Sequence, residues 1–199
     1  MTVPSIFTQQ ELQEMGFRFL GRNVVVDRSV QFFGLSRISI GDNTRIDAHV
    51  VLATGEGGIS IGAYCHLAVG VSFHGAGGVT VEDYTGFSAR VALFSSTDGY
   101  SGGAMSNPTI PMEYRGVVSK PVLVRQHALV GSMSVVMPGV EIGVGASVGA
   151  LTFVNKSIPD FCIVSGNPPR KIGERDRENL LKVQREFEQK HRSELELVQ

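Results

Sequence analysis

The chain contains no tryptophan, only two cysteines, no excess of charge of one sign and no long apolar run. Its 18 basic and 19 acidic residues nearly cancel, which excludes the strongly basic surface that binds nucleic acids or anionic membranes. No apolar stretch approaches the roughly 20 residues that span a bilayer, and residues 1–10 lack a basic region followed by an apolar core. We therefore expect no nucleic-acid or membrane partner, and a cytoplasmic protein with Cys65 and Cys162 reduced.

Glycine is abundant, with 24 residues, and apolar residues recur at every sixth position. In the C-terminal half they are Val124, Val130, Val136, Ile142, Val148 and Val154. In the N-terminal half they form three shorter series: Ile40, Ile46 and Leu52; Ile61, Leu67 and Phe73; Val81, Phe87 and Leu93. A period of six fits neither an α-helix nor a plain alternating strand. It fits three short faces per coil with one residue of each face pointing inward, so the sequence predicts an all-β fold, a parallel β-helix of hexapeptide repeats.

Both ends of the chain predict helices. Residues 8–11 (TQQE) match a capping box, so a short helix within 1–20 is expected to cap one end of the β-helix. From Glu174 onward the composition is charged, and three apolar residues recur at helical spacing, namely Leu180, Val183 and Phe187. They predict an amphipathic helix over 174–192 that packs on the β-helix or on a neighbouring subunit.

The repeat stops at FSSTDGYSGG, residues 94–103, and resumes only at Val122. An irregular segment of this length is uncommon inside a regular solenoid unless it is functional, so 94–121 is predicted to be an active-site loop. The whole chain, 1–199, is expected to be one domain. It comprises the N-terminal cap, a β-helix over 21–163, and a loop and helix over 164–199.

Two segments resemble the hexapeptide-repeat acyltransferases: VGSMSVVMPGVEIGVGASVGALTFVNKSIPDF at 130–161 and SGNPPRKI at 165–172. The resemblance covers nearly the whole chain. It implies a left-handed β-helix, a homotrimer and acetyl-CoA or another acyl-CoA as the donor. The general rule for crossovers between parallel strands favours the right hand instead. In this family the first segment forms coils and the second closes over the coenzyme.

The resemblance also implies residues that contact the coenzyme within the coils. In the galactoside and maltose acetyltransferase branch, two successive coils contact the pantetheine arm at positions that Ser132 and Ala150 occupy here. A threonine-lysine pair beyond them is replaced by Asn155 and Lys156, which keeps the cation but not the hydroxyl.

The final loop is expected to bind the phosphates of the coenzyme. A cysteine-arginine step of the same branch becomes Pro169-Arg170, and a further arginine becomes Gly173. Lys171 is a neighbouring cation that substitutes for the missing one. Cations suit a ligand with several phosphate groups; a solvated surface pair is the alternative interpretation of Arg170 and Lys171.

Asp98 stands where that branch carries its general base, a histidine. The motif TDGYSGG followed by Asn107-Pro108 resembles the branch that N-acylates nucleotide-linked amino sugars such as dTDP-4-amino-4,6-dideoxyglucose, whose members have aspartate here. A sugar hydroxyl needs a base poised near neutrality, whereas an amine needs only to lose its ammonium proton. Asp98 therefore indicates an amine acceptor, an amino-deoxy sugar nucleotide for cell-surface glycan synthesis. The alternative is an Asx-turn residue in a glycine-rich loop.

Four further residues are candidates for contact with the acceptor. His66 is expected one coil below the strand of Asp98, as a second catalytic residue or a hydrogen-bond partner. His74, Ser88 and Tyr100 are expected to bind the substrate. The remaining histidines are expected to be structural or exposed: His49, His127 and His191.

Other functions of the same fold fit the sequence less well. A zinc carbonic anhydrase needs three histidines that converge on the metal, and His66 and His74 belong to no H-x4-H pair, so no metal is expected. A nucleotidyltransferase needs an additional N-terminal domain, and a purely structural β-helix needs no long loop. The close competitor is an O-acetyltransferase of a saccharide hydroxyl that uses His66 or His74 as the base.

Overall fold

A computed structural model describes residues 5–191, which wind through about seven coils into three sheets. The first sheet contains β1 (Phe19–Leu20), β4 (Ile38–Ile40), β7 (Ile59–Ile61), β10 (Val79–Val81), β15 (Val122–Val124) and β18 (Glu141–Ile142). The second contains β2 (Val25–Val26), β5 (Arg45–Ile46), β8 (His66–Leu67), β11 (Gly86–Phe87), β16 (Leu129–Val130), β19 (Ser147–Val148), β21 (Cys162–Ser165) and β22 (Arg170–Glu174). The third contains β3 (Gln31–Phe33), β6 (Val51–Ala53), β9 (Ser72–His74), β12 (Ala92–Phe94), β17 (Val135–Val136) and β20 (Phe153–Val154).

The remaining elements are two helices, a hairpin and two short 3₁₀ turns. The helices are α1 (Gln9–Glu14) and α2 (Arg177–Lys190), the hairpin is β13 (Ser96–Asp98) with β14 (Val117–Ser119), and the 3₁₀ turns are Leu35–Arg37 and Met112–Tyr114. The three corners of the prism are named here by the sheets that they join: edge 1/2, edge 2/3 and edge 3/1. Within the sheets all strand pairs are parallel except β21 with β22.

The residues that recur at every sixth position lie in the core. Every member of the four predicted series is buried, from Ile40 to Val154. Phe73 and Phe87 fill the centre of two successive coils, with ring centroids 5.0 Å apart in an edge-to-face arrangement. The predicted parallel β-helix is confirmed, and its architecture agrees with the left-handed form that the resemblance implies.

Close stacking of coils explains the glycines that follow the inward residues. A Cβ atom on Gly131 would lie 2.5 Å from the backbone nitrogen of Ala150 in the next coil, closer than real contacts allow. Because the coils repeat at a fixed spacing, a side chain at this position would push them apart.

The N-terminal cap is shorter than predicted. The capping box is present, since the Thr8 hydroxyl accepts a hydrogen bond from the Glu11 backbone and the Glu11 carboxylate accepts one from the Thr8 backbone. The helix nevertheless ends at Glu14, and β1 already pairs with β4, so the first coil begins before residue 21. Residues 1–4 lie outside the described part of the chain.

Helix α2 covers edge 1/2 and is shorter than the predicted 174–192, because Glu174 belongs to β22 and the helix ends at Lys190. Residues 192–199 lie outside the described part. Phe187 packs edge-to-face on Tyr64 at 5.3 Å, and His127 stacks on Tyr84 at 5.0 Å and bonds Gln184. His127 is therefore structural. His191 packs on Phe187 instead of being solvated as expected.

The segment 164–173, expected to be a loop, is largely a hairpin. β21 and β22 pair antiparallel, with Ser165 opposite Arg170, so only residues 166–169 form the turn. Antiparallel pairing gives the last strand of the second sheet a partner for its backbone groups. The expected coenzyme cations Arg170 and Lys171 thus begin a strand instead of lying in a free loop.

Candidate active site

The segment that interrupts the repeat forms an arm, residues 95–121, which leaves the prism at edge 3/1 between β12 and β15. Its base is an antiparallel hairpin in which Asp98 lies opposite Val117. The buried Ser95 fixes the arm to the coil below, because its hydroxyl donates to the His74 carbonyl over 2.7 Å and accepts from the Gly77 backbone over 2.9 Å. The arm is therefore a braced structure, with Asp98 at the end of its first strand.

Asp98 is held at both carboxylate oxygens. Arg115 Nη2 donates to Oδ1 over 3.1 Å, and the backbone N–H of Asn107 donates to Oδ2 over 2.9 Å. The hydrogen bond from Asn107 and the guanidinium of Arg115 lower the pKa of the Asp98 carboxyl below its usual value. An ionised carboxylate of this kind attracts and orients an ammonium group, but it is a weak proton acceptor at neutral pH.

His74 lies directly below the start of the arm. Its residue is paired with Phe94 across β9 and β12, and the two rings stack 4.7 Å apart with an interplanar angle of 7°. Burial lowers the pKa of His74, which favours the neutral ring. Among the histidines, His74 is thus the one that the fold brings to the base of the arm.

His66 and Ser88 lie close together on the second sheet, away from the arm. His66 lies one coil below the coil of Asp98, as predicted, but on the second sheet, where it pairs with Gly86. It shares with Ser88 a shallow cavity of about 240 Å³ that is also lined by Ala68 and Leu129. In one chain, His66 and Asp98 therefore belong to different faces. Tyr100, two residues after the end of β13, is 90% exposed.

Edge 2/3 brings together part of the predicted coenzyme set. Ser132 and Ala150 follow the second-sheet strands of two successive coils, and the Leu151 backbone donates to the Ser132 carbonyl over 2.9 Å. The same edge exposes the apolar side chains of Met133 and Leu151. An apolar strip beside backbone amides fits the pantetheine arm of an acyl-CoA.

Only one of the two cations expected to bind the phosphates is free of an ion pair with a described residue. The Gly166 backbone bonds Thr152, which places the 166–169 turn at the end of edge 2/3 and Arg170 just after it. Lys171 forms an ion pair with Glu174, so part of its charge is already balanced. An exposed Arg170 at the end of the apolar strip fits the phosphate end of the coenzyme.

Asn155 and Lys156 lie apart from the other expected coenzyme residues. They follow β20 of the third sheet and precede Ile158, which bridges to β18 of the first sheet, so they occupy edge 3/1. The candidate residues of one chain thus form two groups. One group follows edge 2/3 and the adjoining second sheet, the other follows edge 3/1 with the arm, and the third sheet separates them.

The chain is similar to proteins of known activity. The chain is 42% identical over 170 residues to a dTDP-4-amino-4,6-dideoxy-D-glucose acyltransferase of Escherichia coli, a match that spans 85% of this chain and 88% of that protein. The chain belongs to the dTDP-4-amino-4,6-dideoxyglucose acyltransferase family. It is therefore an acyltransferase of the hexapeptide-repeat type, as the sequence predicted. No protein-family model matches the sequence.

Solved structures support the same family. AntD, an N-acyltransferase from Bacillus cereus, is 34% identical and superimposes with a TM-score of 0.90 over 96% of this chain and 100% of its own. It was solved with dTDP and 3-hydroxybutyryl-CoA, and a variant was solved with dTDP-4-amino-4,6-dideoxyglucose and coenzyme A. A hexapeptide-repeat acetyltransferase from Vibrio cholerae, 19% identical with a TM-score of 0.57 over 84% of this chain, shares the fold.

Two further observations concern metal ions and membranes. Within residues 5–191, no group of three or more His, Cys, Asp or Glu side chains is arranged to hold a metal ion. Over the same residues, no helix combines the length and the apolar composition that a membrane crossing needs.

Sequence reasoning missed Arg115 and Asp47, the charged partners of Asp98 and His66. Arg115 is 17 residues from Asp98 inside an irregular segment, where no periodicity indicates which side chains meet. The contact between Asp47 and His66 could have been predicted, because Asp47 lies 19 residues before His66, close to the 18 residues of one full coil.

Proposed function

We propose that this protein transfers an acyl group from an acyl-CoA to the amine of a nucleotide-linked amino-deoxy sugar, dTDP-4-amino-4,6-dideoxyglucose or a close analogue. The observation that carries the proposal is the likeness to AntD, which binds that sugar nucleotide and coenzyme A. The solved AntD variants change a serine or an aspartate ten positions after it. Ser88 and Asp98 of this chain have the same identities and the same separation.

The reaction proceeds by attack of the amine on the thioester. The nitrogen lone pair forms the new C–N bond, the C–S bond breaks, and the proton lost by nitrogen ends on the departing thiolate, which gives an amide and free coenzyme A. Asp98 holds and orients the amine through its negative charge, and the Ser88 hydroxyl hydrogen-bonds within the reacting centre. His66, His74 and Tyr100 complete the acceptor side, while Ser132, Ala150, Asn155, Lys156, Arg170 and Lys171 hold the coenzyme.

The proposed acceptor is tested by offering acetyl-CoA with an amino-sugar nucleotide or with its hydroxyl counterpart and measuring release of the thiol. We expect rapid thiol release with the amine and little with the hydroxyl, because the lowered pKa of the Asp98 carboxyl leaves no strong base for a hydroxyl at this position. Faster transfer to the hydroxyl, together with an inactive His66→Ala enzyme, would establish the O-acetyltransferase instead.

A homotrimer with three sites between subunits is the second part of the proposal. In one chain the arm group and the edge 2/3 group are separated by the third sheet, so a complete site needs the arm of a neighbouring copy against edge 2/3. The arm also exposes several large apolar side chains, namely Tyr100, Met105, Met112, Tyr114 and Val118. Their burial against a second copy would stabilise the assembly.

Light scattering on the purified protein is expected to give the mass of a trimer. Tyr114→Asp should dissociate the trimer and remove activity, because it places a charge in the proposed interface. Val183→Asp on α2 is the matched control, since Val183 is 52% exposed against 59% for Tyr114 but lies on edge 1/2. A fully active monomer at the assay concentration would contradict the assembly.

The cellular setting follows from the same proposal. Cys65 and Cys162 are buried and unpaired, which fits the reducing cytoplasm, where we place this enzyme. There it would supply an acylated sugar nucleotide for cell-surface glycan synthesis, with the whole chain acting as one acyltransferase domain.

A further inference from the structure

Three charged or polar side chains form a cluster on the outer face of the second sheet. Asp47 accepts hydrogen bonds from Arg45 Nε over 2.7 Å and from His66 Nε2 over 2.9 Å, each on a separate carboxylate oxygen. Partial burial acts to raise the pKa of the Asp47 carboxyl, but the hydrogen bonds from His66 and Arg45 outweigh it and hold the pKa below its usual value. One ionised carboxylate thus fixes two side chains from neighbouring coils.

The cluster lines a cavity that continues toward Ser88. The cavity measures about 450 Å³ and is lined by Asn43, Arg45, Asp47, Tyr64, Cys65 and His66. His66 also lines the smaller cavity that contains Ser88. The two cavities therefore adjoin at His66 and form one groove along the second sheet.

The order of residues along the prism gives this groove a direction. Strand pairing places Leu129, Gly86, His66 and Arg45 in successive coils of the second sheet. Ser132, Ala150 and Arg170 of the proposed coenzyme site lie on the C-terminal side of Ser88, and the cluster lies on its N-terminal side. If the coenzyme occupies the C-terminal side of Ser88, the N-terminal side is left for the acceptor.

The cluster leaves specific atoms open for a ligand. Because an ionised carboxylate only accepts, His66 donates through Nε2, and in the neutral ring Nδ1 is then an acceptor. The two terminal nitrogens of Arg45 donate no hydrogen bond to any residue within 5–191. A planar arginine with two free terminal nitrogens matches a phosphate group with two parallel hydrogen bonds.

We propose that Arg45, Asp47 and His66 form the acceptor subsite of the enzyme, in which Arg45 binds the diphosphate of the sugar nucleotide and His66 accepts a hydrogen bond from the sugar. Asp47 is a positioning residue that holds both side chains at the groove. The inference rests on the proposed function and adds to it the place where the nucleotide half of the acceptor binds.

The test compares Arg45→Gln with Arg22→Gln. Arg22 is paired with Asp42 at 3.0 Å, as Arg45 is with Asp47, but it is not among the residues that line the groove. Arg45→Gln should raise KM for the amino-sugar nucleotide about tenfold to 100-fold, with kcat and KM for acyl-CoA little changed. Arg22→Gln should leave all three constants near wild type. Arg45→Lys should give a KM for the amino-sugar nucleotide between those of wild type and Arg45→Gln, since lysine keeps the charge but lacks the two terminal nitrogens of the guanidinium group.

Calorimetric titration with dTDP provides a measurement that does not depend on catalysis. The Kd for dTDP should rise in Arg45→Gln by a factor similar to the KM, and a smaller rise is expected in Asp47→Asn, whose amide cannot accept from both partners. The free amino sugar, which has no diphosphate, should react equally with wild type and Arg45→Gln. Asp42→Asn is the control for Asp47→Asn, and thermal unfolding confirms that each variant is folded.

The possible failures are distinct. A wild-type enzyme that acylates the amino sugar, with Arg45→Gln binding dTDP equally well, overturns the subsite and leaves the proposed function intact. A wild-type protein that binds dTDP through Arg45 but acylates no amine overturns the proposed reaction and supports the subsite. A wild-type protein that does not bind dTDP overturns both.

Discussion

Replacing Asp98 with asparagine is expected to lower kcat/KM for an amino-sugar nucleotide by about 10- to 100-fold. Asparagine keeps the shape and accepts from the Asn107 backbone, but it loses the charge that holds the ammonium. The loss should lie at the low end of general-base effects, because the lowered pKa of Asp98 makes it an orienting charge more than a proton acceptor. Part of the activity should return at higher pH, where more of the amine is already neutral.

The variant Arg115→Gln tests whether Asp98 acts on the substrate or only stabilises the arm. Arg115 bonds the same carboxylate but carries no charge that attracts an ammonium. If Asp98 acts on the substrate, Asp98→Asn should lose more activity than Arg115→Gln. Only Asp98→Asn should then regain activity as the pH is raised. Equal losses with parallel pH–rate profiles would mean that Asp98 only stabilises the arm. A fully active Asp98→Asn enzyme beside an inactive His66→Ala enzyme would place the base at His66.

Removal of both cations at the start of β22 is expected to raise KM for the acyl-CoA about tenfold or more. A charge-assisted hydrogen bond contributes about 1.5–3 kcal/mol at best, and the exposed Arg170 is open to a phosphate. Lys171 is already paired with Glu174, so Arg170→Ala alone should produce most of the effect of the double variant with Lys171→Ala. The measurement is the initial rate against acyl-CoA concentration at saturating acceptor.

The control for that experiment is a double variant on the exposed face of α2, Lys182→Ala with Arg185→Ala, which removes the same net charge away from edge 2/3. It should leave the donor KM near wild type. The salt dependence should also fall in the Arg170 variant, since charge pairing with phosphates is screened by ions. An unchanged donor KM in the double Arg170 and Lys171 variant would remove both residues from the coenzyme site.

The coil register was predictable because it depends on a single local rule. Each short face turns at least one residue inward, and that residue is apolar throughout the four series, so the period of six in the sequence becomes a buried column of the structure. The same rule located the arm, since a segment without inward apolar residues cannot continue the coil. The family followed from residues in the C-terminal coils, and the match to known acyltransferases confirms it.

The hairpin β21–β22 and the interior of the arm were not predictable in this way. Arg170–Glu174 has no alternating apolar pattern, and it forms a strand only because β21 offers unpaired backbone groups beside it. In the arm, Arg115 meets Asp98 because the antiparallel pairing of β13 and β14 brings two remote segments together. Neither contact follows from a repeat, so neither leaves a periodic signal.

The candidate site residues were chosen from the sequence alone, and the tertiary structure decided which of them can meet. Asp98 was identified by a family motif, and His66, His74 and Ser88 by residue type and expected position in the coils. Their distribution over the prism depends on the sheet that each one occupies. His66 lies on β8 of the second sheet and Ser88 just after β11 of the same sheet, whereas His74 lies on β9 of the third sheet, opposite Phe94 of β12. Because the arm departs directly after Phe94, the strand pairing between coils brings His74, and not His66, to the base of the arm.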